Sequence, residues 1–180
     1  MAKITLYHGT AAPFTKFAKD FAIRGSEANS ALGIHLTERP SLAAEYARLA
    51  AKDKVGTEPR VLVVEAEVSK VGLISSAADY LGRDPEFGLD ETDRSRVEFI
   101  ERRFELEAEG FDAVATEEAE LDDVSGCWVV FDPDKLSVVD EITLEAAEDI
   151  DDEPADWSDI DFQSIRLFAD DVRDEQFSNA

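Results

Sequence analysis

LYHGT, Leu6 to Thr10, closes an alternating segment that begins at Lys3, and the reading of this stretch decides the fold. From Lys3 to Tyr7 polar and apolar side chains take turns, the two-residue period of a half-buried strand. The His8-Gly9 step then breaks the pattern at a residue that lacks a Cβ. A strand ending in a tight junction is predicted there. Downstream, Gly33 to Thr37 (GIHLT) reads as a second brief strand. Thr37, an acid and Pro40 then open a helix whose apolar positions are Leu42, Tyr46, Leu49 and Ala50. A third stretch, GCWVVFDP (Gly126 to Pro133), reads as a strand stopped by an Asp-Pro turn.

Between these stretches the organisation is that of an α+β chain. Phe14, Phe17 and Phe21 have the spacing of packing residues in a loop or short helical turn. RVLVVEAEV (Arg60 to Val68) starts as a continuous apolar run and ends alternating, as a central strand does on reaching a sheet edge. Gly82, Pro85 and Gly88 mark a loop, and Asp90 to Glu109 is predicted to be an amphipathic helix with Val97, Ile100, Phe104 and Leu106 on its apolar side, ended by Gly110. FDAVA (Phe111 to Ala115) is a short strand, and the acidic loop that follows carries Glu117, Glu118, Glu120, Asp122 and Asp123.

At 180 residues, with 44% apolar side chains, eleven Phe and two Trp, the chain can build one well-packed core. No run approaches the roughly 18 apolar residues of a membrane span. The N-terminus has no long apolar core of a secretory signal, and the lone Cys127 forms no internal disulfide, so a reducing cytoplasm is expected. The formal charge of −24 excludes phosphate-backbone binding through basic patches. Three readings of that charge stay open: solubility, docking onto a basic protein surface, and imitation of nucleic acid. From Glu145 onward thirteen acidic residues face two basic ones, so this tail supplies −11 of the total. DIDDEPAD has the composition of a disordered segment, whereas Trp157, Ile160, Ile165, Phe168 and Val172 recur at near-helical intervals and predict docking on the domain or on a partner.

Taken together, the three stretches resemble the ADP-ribosyltransferase fold, in particular its poly(ADP-ribose) polymerase and diphtheria-toxin branch. The resemblance implies a split antiparallel sheet with flanking helices over residues 1–142 and an acidic, partly helical tail over 143–180. It implies NAD as substrate: His8 on the ribose, the Gly9 backbone clamping the nicotinamide amide, Tyr7 and Thr10 beside them. Gly33 and His35 occupy the strand whose aromatic residue packs on nicotinamide. Tyr46, eleven residues beyond His35, is the ring expected on the other face. Mono-ADP-ribosyl transfer to a macromolecule, a protein in a bacterial or phage setting, is the activity the resemblance implies.

Cys127 departs from the pattern, because the matching strand in that family opens with a glutamate that hydrogen-bonds the ribose and stabilises the cationic state as nicotinamide leaves. A neutral thiol supplies no such charge, and acidic neighbours would raise rather than lower its pKa. Either Glu118 or Glu120 takes over the acidic role, or binding survives without transfer. In the second case the fold serves as an acidic scaffold for protein binding. His8, His35 and Cys127 lack metal-ligand spacing, so no metal is expected, and no phosphate-binding glycine loop or Cys-x-x-Cys is present.

Overall fold

The computed structural model describes residues 1–20, 27–52, 54, 56–75, 77–81, 94–116, 126–150 and 157–168. In chain order these form β1 (Ala2–Thr10), β2 (Ile34–Thr37), α1 (Pro40–Ala51), β3 (Arg60–Val68), β4 (Lys70–Ile74), α2 (Ala77–Leu81), α3 (Arg96–Ala108), β5 (Ala113–Thr116), β6 (Cys127–Val130), β7 (Leu136–Ile142), α4 (Leu144–Glu148) and β8 (Asp161–Ser164). All eight strands join one sheet in the order β7-β3-β1-β2-β6-β5-β4-β8.

β1 and β3 pair antiparallel over nine residues, from Ala2↔Val68 to Thr10↔Arg60, whereas β1 and β2 share the single pair Tyr7↔Thr37. The sheet is thus thinnest between β1 and β2, and this joint divides it into a half made of β7, β3 and β1 and a half made of the other five strands. β3 and β4 are separated by Ser69 alone, yet lie in different halves. A strand that bends and changes sheets makes a corner and brings two sheet faces together. The main core lies between those faces: Ile4, Leu6, Leu62, Val64, Ala66 and Val68 from one half meet Ile34, Leu36, Val71, Ala115, Trp128 and Val130 from the other. Alternate residues point outward, so α1 and α4 cover one half through Ala43, Ala44, Val61 and Ala147. On the other half, α3 and residues near the C-terminus bury Phe99, Leu106 and Leu167 against Val114 and Val129.

The expected antiparallel sheet is in fact mixed, since β4 pairs parallel with both β5 and β8. Parallel neighbours need a crossover connection, and α3 supplies it between β4 and β5. β4, β7 and β8 carry little sequence signal of their own. The tail departs from its helical spacing, because Asp161–Ser164 adds β8 to the free edge of β4. Trp157 packs edge-on against Trp128 at 5.9 Å, and Phe168 against Phe99 at 5.1 Å. Edge pairing decides this segment, since an unpaired β4 edge offers more hydrogen bonds than an isolated helical turn. Phe21, the DIDDEPAD segment and Val172 lie wholly or mostly outside the described residues.

Two helix faces differ from the predicted ones. In α1 the buried residues are Pro40, Leu42, Ala43, Ala44 and Ala47, while Leu49 is 64% exposed. Gly9 explains the rotation, because a Cβ there would lie 1.9 Å from the Ala43 carbonyl oxygen and 2.6 Å from the Ala47 nitrogen. A helix that crosses a strand this closely must present alanines. In α3 the buried residues are Phe99 and Leu106, and Val97 and Phe104 face solvent. A capping box starts this helix, with the Ser95 hydroxyl accepting from the Glu98 amide and the Glu98 carboxylate accepting from the Ser95 amide.

The corner at Ser69 is held by Asp112, whose carboxylate accepts hydrogen bonds from the amides of Ser69 (2.6 Å) and Lys70 (3.3 Å) and pairs with the Lys135 ammonium. Partial burial of this carboxyl pushes its pKa up, but Lys135 and the two amides outweigh that and hold it below the ordinary carboxylate range. Asp112→Ala would leave two corner amides and an ammonium without their acceptor. It is expected to cost about 2–4 kcal/mol, read from the urea midpoint.

Candidate functional site at the thin joint of the sheet

The joint between β1 and β2 gathers most of the residues singled out in the sequence. Register places Thr37 of β2 opposite Cys127 of β6 and His35 opposite Val129, so His35, Thr37, Cys127 and Val129 share one sheet face. Cys127 is 2% exposed, and its backbone is fixed by Thr116, whose hydroxyl accepts from the Cys127 amide at 3.1 Å. Its thiol is hydrogen-bonded to the hydroxyls of Tyr46, on α1, and Tyr80, on α2.

The direction of the two His35 hydrogen bonds follows from the one group that can only accept. His35 Nε2 lies 3.0 Å from the carbonyl oxygen of Asn29, so Nε2 carries the proton and donates. Nδ1 is then an acceptor, and the Tyr80 hydroxyl, 2.8 Å away, donates to it. The Tyr80 hydroxyl also reaches the Cys127 sulfur, as does the Tyr46 hydroxyl from the other side. A continuous chain results: Tyr46, Cys127, Tyr80, His35, Asn29. Asn29 is itself buried and donates from its side chain to the Tyr80 carbonyl at 3.4 Å.

Burial keeps His35, Cys127 and Tyr80 neutral. Withdrawal from water lowers the His35 pKa, with the Asn29 carbonyl opposing. Burial raises the Cys127 thiol to about 11 and outweighs the two tyrosine hydroxyls, which favour the thiolate; the nearby Glu38 carboxylate pushes it further up and Arg39 pulls it down. The Tyr80 phenol is likewise held well above its ordinary value, first by burial. Cys127 is therefore a thiol at neutral pH, for reasons of desolvation more than of acidic neighbours. Glu118 and Glu120, the other proposed acids, lie outside the described residues.

His8 joins this assembly through the backbone. Its Nδ1–H donates to the His35 carbonyl at 2.9 Å, and its ring packs against Phe14 and edge-on against Phe17 at 5.2 Å. Burial lowers its pKa to about 4, offset in part by the His35 carbonyl. The remaining positions do structural work. Tyr7 packs with Ala43, Ala44, Val61 and Ala147, and the Thr10 hydroxyl accepts from the Ala12 amide at 3.0 Å to close the turn. Gly33 passes so near β6 that a Cβ would lie 2.5 Å from the Val130 carbonyl oxygen. Gly9 serves the approach of α1 described above.

Tyr80 and Asn29 were not flagged by the sequence reading. Tyr80 and Asn29 lie in segments without a motif, and only the packed fold brings them to His35. α2, which carries Tyr80, is tied to the C-terminal segment by Asp79, whose carboxylate accepts from the amides of Leu167 (2.6 Å) and Phe168 (3.0 Å). Among the described residues no three His, Cys, Asp or Glu side chains gather as a metal site. None of the described helices is long and apolar enough to cross a membrane.

The two perturbed groups make separate predictions. The folded pKa of His8, about 4, lies below the 6.5 of a free imidazole. Its contribution to stability is therefore complete above pH 6.5 and is lost as pH falls from 6.5 toward 4. Urea unfolding at pH 7 and pH 5 should differ by about 2 kcal/mol from this group, with His35 adding in the same direction, and His8→Gln should remove the His8 part. Cys127 should alkylate with iodoacetamide at pH 8 on the order of 100-fold more slowly in the folded protein than in urea, since both its pKa and its burial oppose attack. Comparison of the chain with protein-family models, with curated proteins and with solved structures finds no match.

Proposed function

We propose that the chain binds NAD at the joint between β1 and β2 and transfers ADP-ribose from it to a protein acceptor. The observation that carries this reading is the hydrogen-bonded assembly of Tyr46, Cys127 and His35, with His8 fastened to the His35 backbone. These are the positions that the sequence resemblance assigns to nicotinamide and ribose.

The chemistry of each group fits that ligand. Nicotinamide in NAD is a pyridinium and would be repelled by an imidazolium, but His35 is held neutral, and both its ring nitrogens are engaged in the ring plane. What His35 has left to offer a ligand is therefore its π face. Tyr46 is 40% exposed and is the second ring that the resemblance assigns to nicotinamide. His8, held by its hydrogen bond to the His35 carbonyl, is the residue that the resemblance assigns to the ribose. Beyond Tyr7↔Thr37 no ladder joins β1 to β2 among the described residues, so backbone groups on that edge of Gly9 and Thr10 are the ones suited to a carboxamide. The chain's field, from a charge of −24, opposes both NAD and nucleic acid and favours a basic acceptor protein.

A second reading, binding without transfer, draws on Cys127: a thiol with a pKa of about 11 stands where the resemblance calls for an anion. Under it the fold is an acidic protein-binding scaffold. Calorimetric titration with NAD and an assay of released nicotinamide, each with and without a basic protein acceptor, separate the two. Transfer predicts nicotinamide release that His8→Ala lowers by about 10-fold or more, and NAD affinity that improves with salt as like-charge repulsion is screened. A silent NAD titration, with partner binding that weakens steeply in salt, would leave only the scaffold.

A further inference from the structure

The fold leaves the outer face of α3 uncovered. Phe99 and Leu106 are buried on one side of this helix, whereas Val97 (60% exposed) and Phe104 (57% exposed) stand on the other, with half-buried Ile100 between them. Val97 and Phe104 are seven residues apart, so two helical turns and about 10 Å separate them. Acidic groups border this ridge. Glu101 and Glu107 sit one turn before and one turn after Phe104; both are exposed, and among the described residues neither is paired with a cation. With Glu105 and Glu109 they crowd the helix end at which the macrodipole is negative, and the last turn holds no basic residue. The cations beside them are engaged. Arg102 pairs with Glu105 at 2.9 Å and donates to the Arg166 carbonyl at 3.0 Å, and the Lys70 ammonium donates to the Glu109 carbonyl at 2.9 Å. The chain's own arginines show what this surface holds: Arg103 lies over the Phe104 ring, 5.1 Å from its centroid, and Arg94 pairs with Glu98 at 3.2 Å while lying over Phe168 at 4.7 Å. Glu98, Glu101 and Glu105 form one wall of an open groove of about 510 Å³, with Arg166, Leu167 and Phe168 opposite.

We infer that this face of α3 docks a basic amphipathic helix of a partner protein, its apolar side chains resting on Val97 and Phe104 and its lysines or arginines on Glu101 and Glu107. Spacing sets the shape of the partner, since two apolar positions two turns apart match the stripe of a second helix. Charge sets its sign. At −24 per chain a second copy is repelled, whereas a cationic segment is drawn to the surface and meets carboxylates that have no cation of their own. A lysine suits such a border because its stem can lie on apolar surface while its ammonium reaches a carboxylate. The inference makes no use of NAD and holds whether the chain transfers ADP-ribose or only binds its partner.

The probe is a synthetic helical peptide of about 18 residues built from leucine and lysine, with the leucines on one face, titrated into the full chain and followed by fluorescence anisotropy. Phe104→Ala and the pair Glu101→Lys with Glu107→Lys alter only exposed side chains, and each should weaken peptide binding about 10-fold. Glu65→Lys with Glu67→Lys removes the same charge from β3 and should weaken it by less than about threefold. A peptide of the same composition with its leucines scattered around the helix should bind about 10-fold more weakly than the probe and should not respond to Phe104→Ala. Loss of binding by the β3 pair equal to that of the α3 pair, or a Phe104→Ala effect below about twofold, overturns the inference and leaves only the general field of the chain. Absence of peptide binding overturns it too. Self-association of the chain that Phe104→Ala abolishes assigns the face to a second copy and likewise overturns it. None of these outcomes bears on the NAD titration, which tests the functional reading separately.

Discussion

The corner at Ser69 is the constraint on which the rest of the structure depends. One residue separates β3 from β4, and in that space the chain must leave one half of the sheet and enter the other. Asp112 makes the turn affordable by accepting from both corner amides, while its own backbone amide donates to the Lys70 carbonyl at 2.9 Å and the Asp161 amide donates to the Ser69 carbonyl at 2.9 Å. The bend therefore fixes at once where β5 starts, where β8 is received and how the two halves face each other. The main core is a consequence, because Val68 and Val71, on either side of the corner, belong to the same buried cluster.

A sheet folded on itself in this way is weakest where its halves meet at the other end, between β1 and β2. There a single residue pair replaces a ladder, and polar side chains can gather without breaking a row of backbone bonds. The assembly of Tyr46, Cys127, Tyr80, His35 and Asn29 gathers around β2, and the direction of its two His35 hydrogen bonds is set by the Asn29 carbonyl, which can only accept. Burial keeps His35, Cys127 and Tyr80 uncharged, so the charges at the joint are carried by its rim, where Glu38 and Arg39 follow β2. The C-terminal segment takes part at a distance. Asp79 grips the Leu167 and Phe168 amides, which steadies the short helix that presents Tyr80.

Much of the fold was legible where the chain obeys a local period. β1 and β3 carry their alternation in plain view, β6 is a short apolar run stopped by Asp-Pro, and α3 was legible as a helix ended by Gly110 although its buried face is Phe99 and Leu106. Reading failed where a neighbour overrode the pattern. The apolar stripe of α1 turned toward alanines because Gly9 lets β1 come within backbone contact, and Trp157 to Phe168 became an edge strand with aromatic anchors because β4 had an edge to fill. At the joint, His8, His35 and Tyr46 were named by motif. Tyr80 and Asn29 were not, since their relevance is a matter of which atoms the fold brings within hydrogen-bond distance.

The sequence by itself determined that this is an acidic α+β chain, that a strand ends at His8-Gly9, and that Cys127 opens a strand. Those properties are local, set by side-chain period, by the missing Cβ of glycine and by net charge. The tertiary structure alone decided that the sheet is mixed and folds over a corner at Ser69, that the tail completes it, and that Cys127 is a buried neutral thiol. These depend on contacts between residues far apart in the chain, whose energies come from desolvation and hydrogen-bond geometry that no single segment contains.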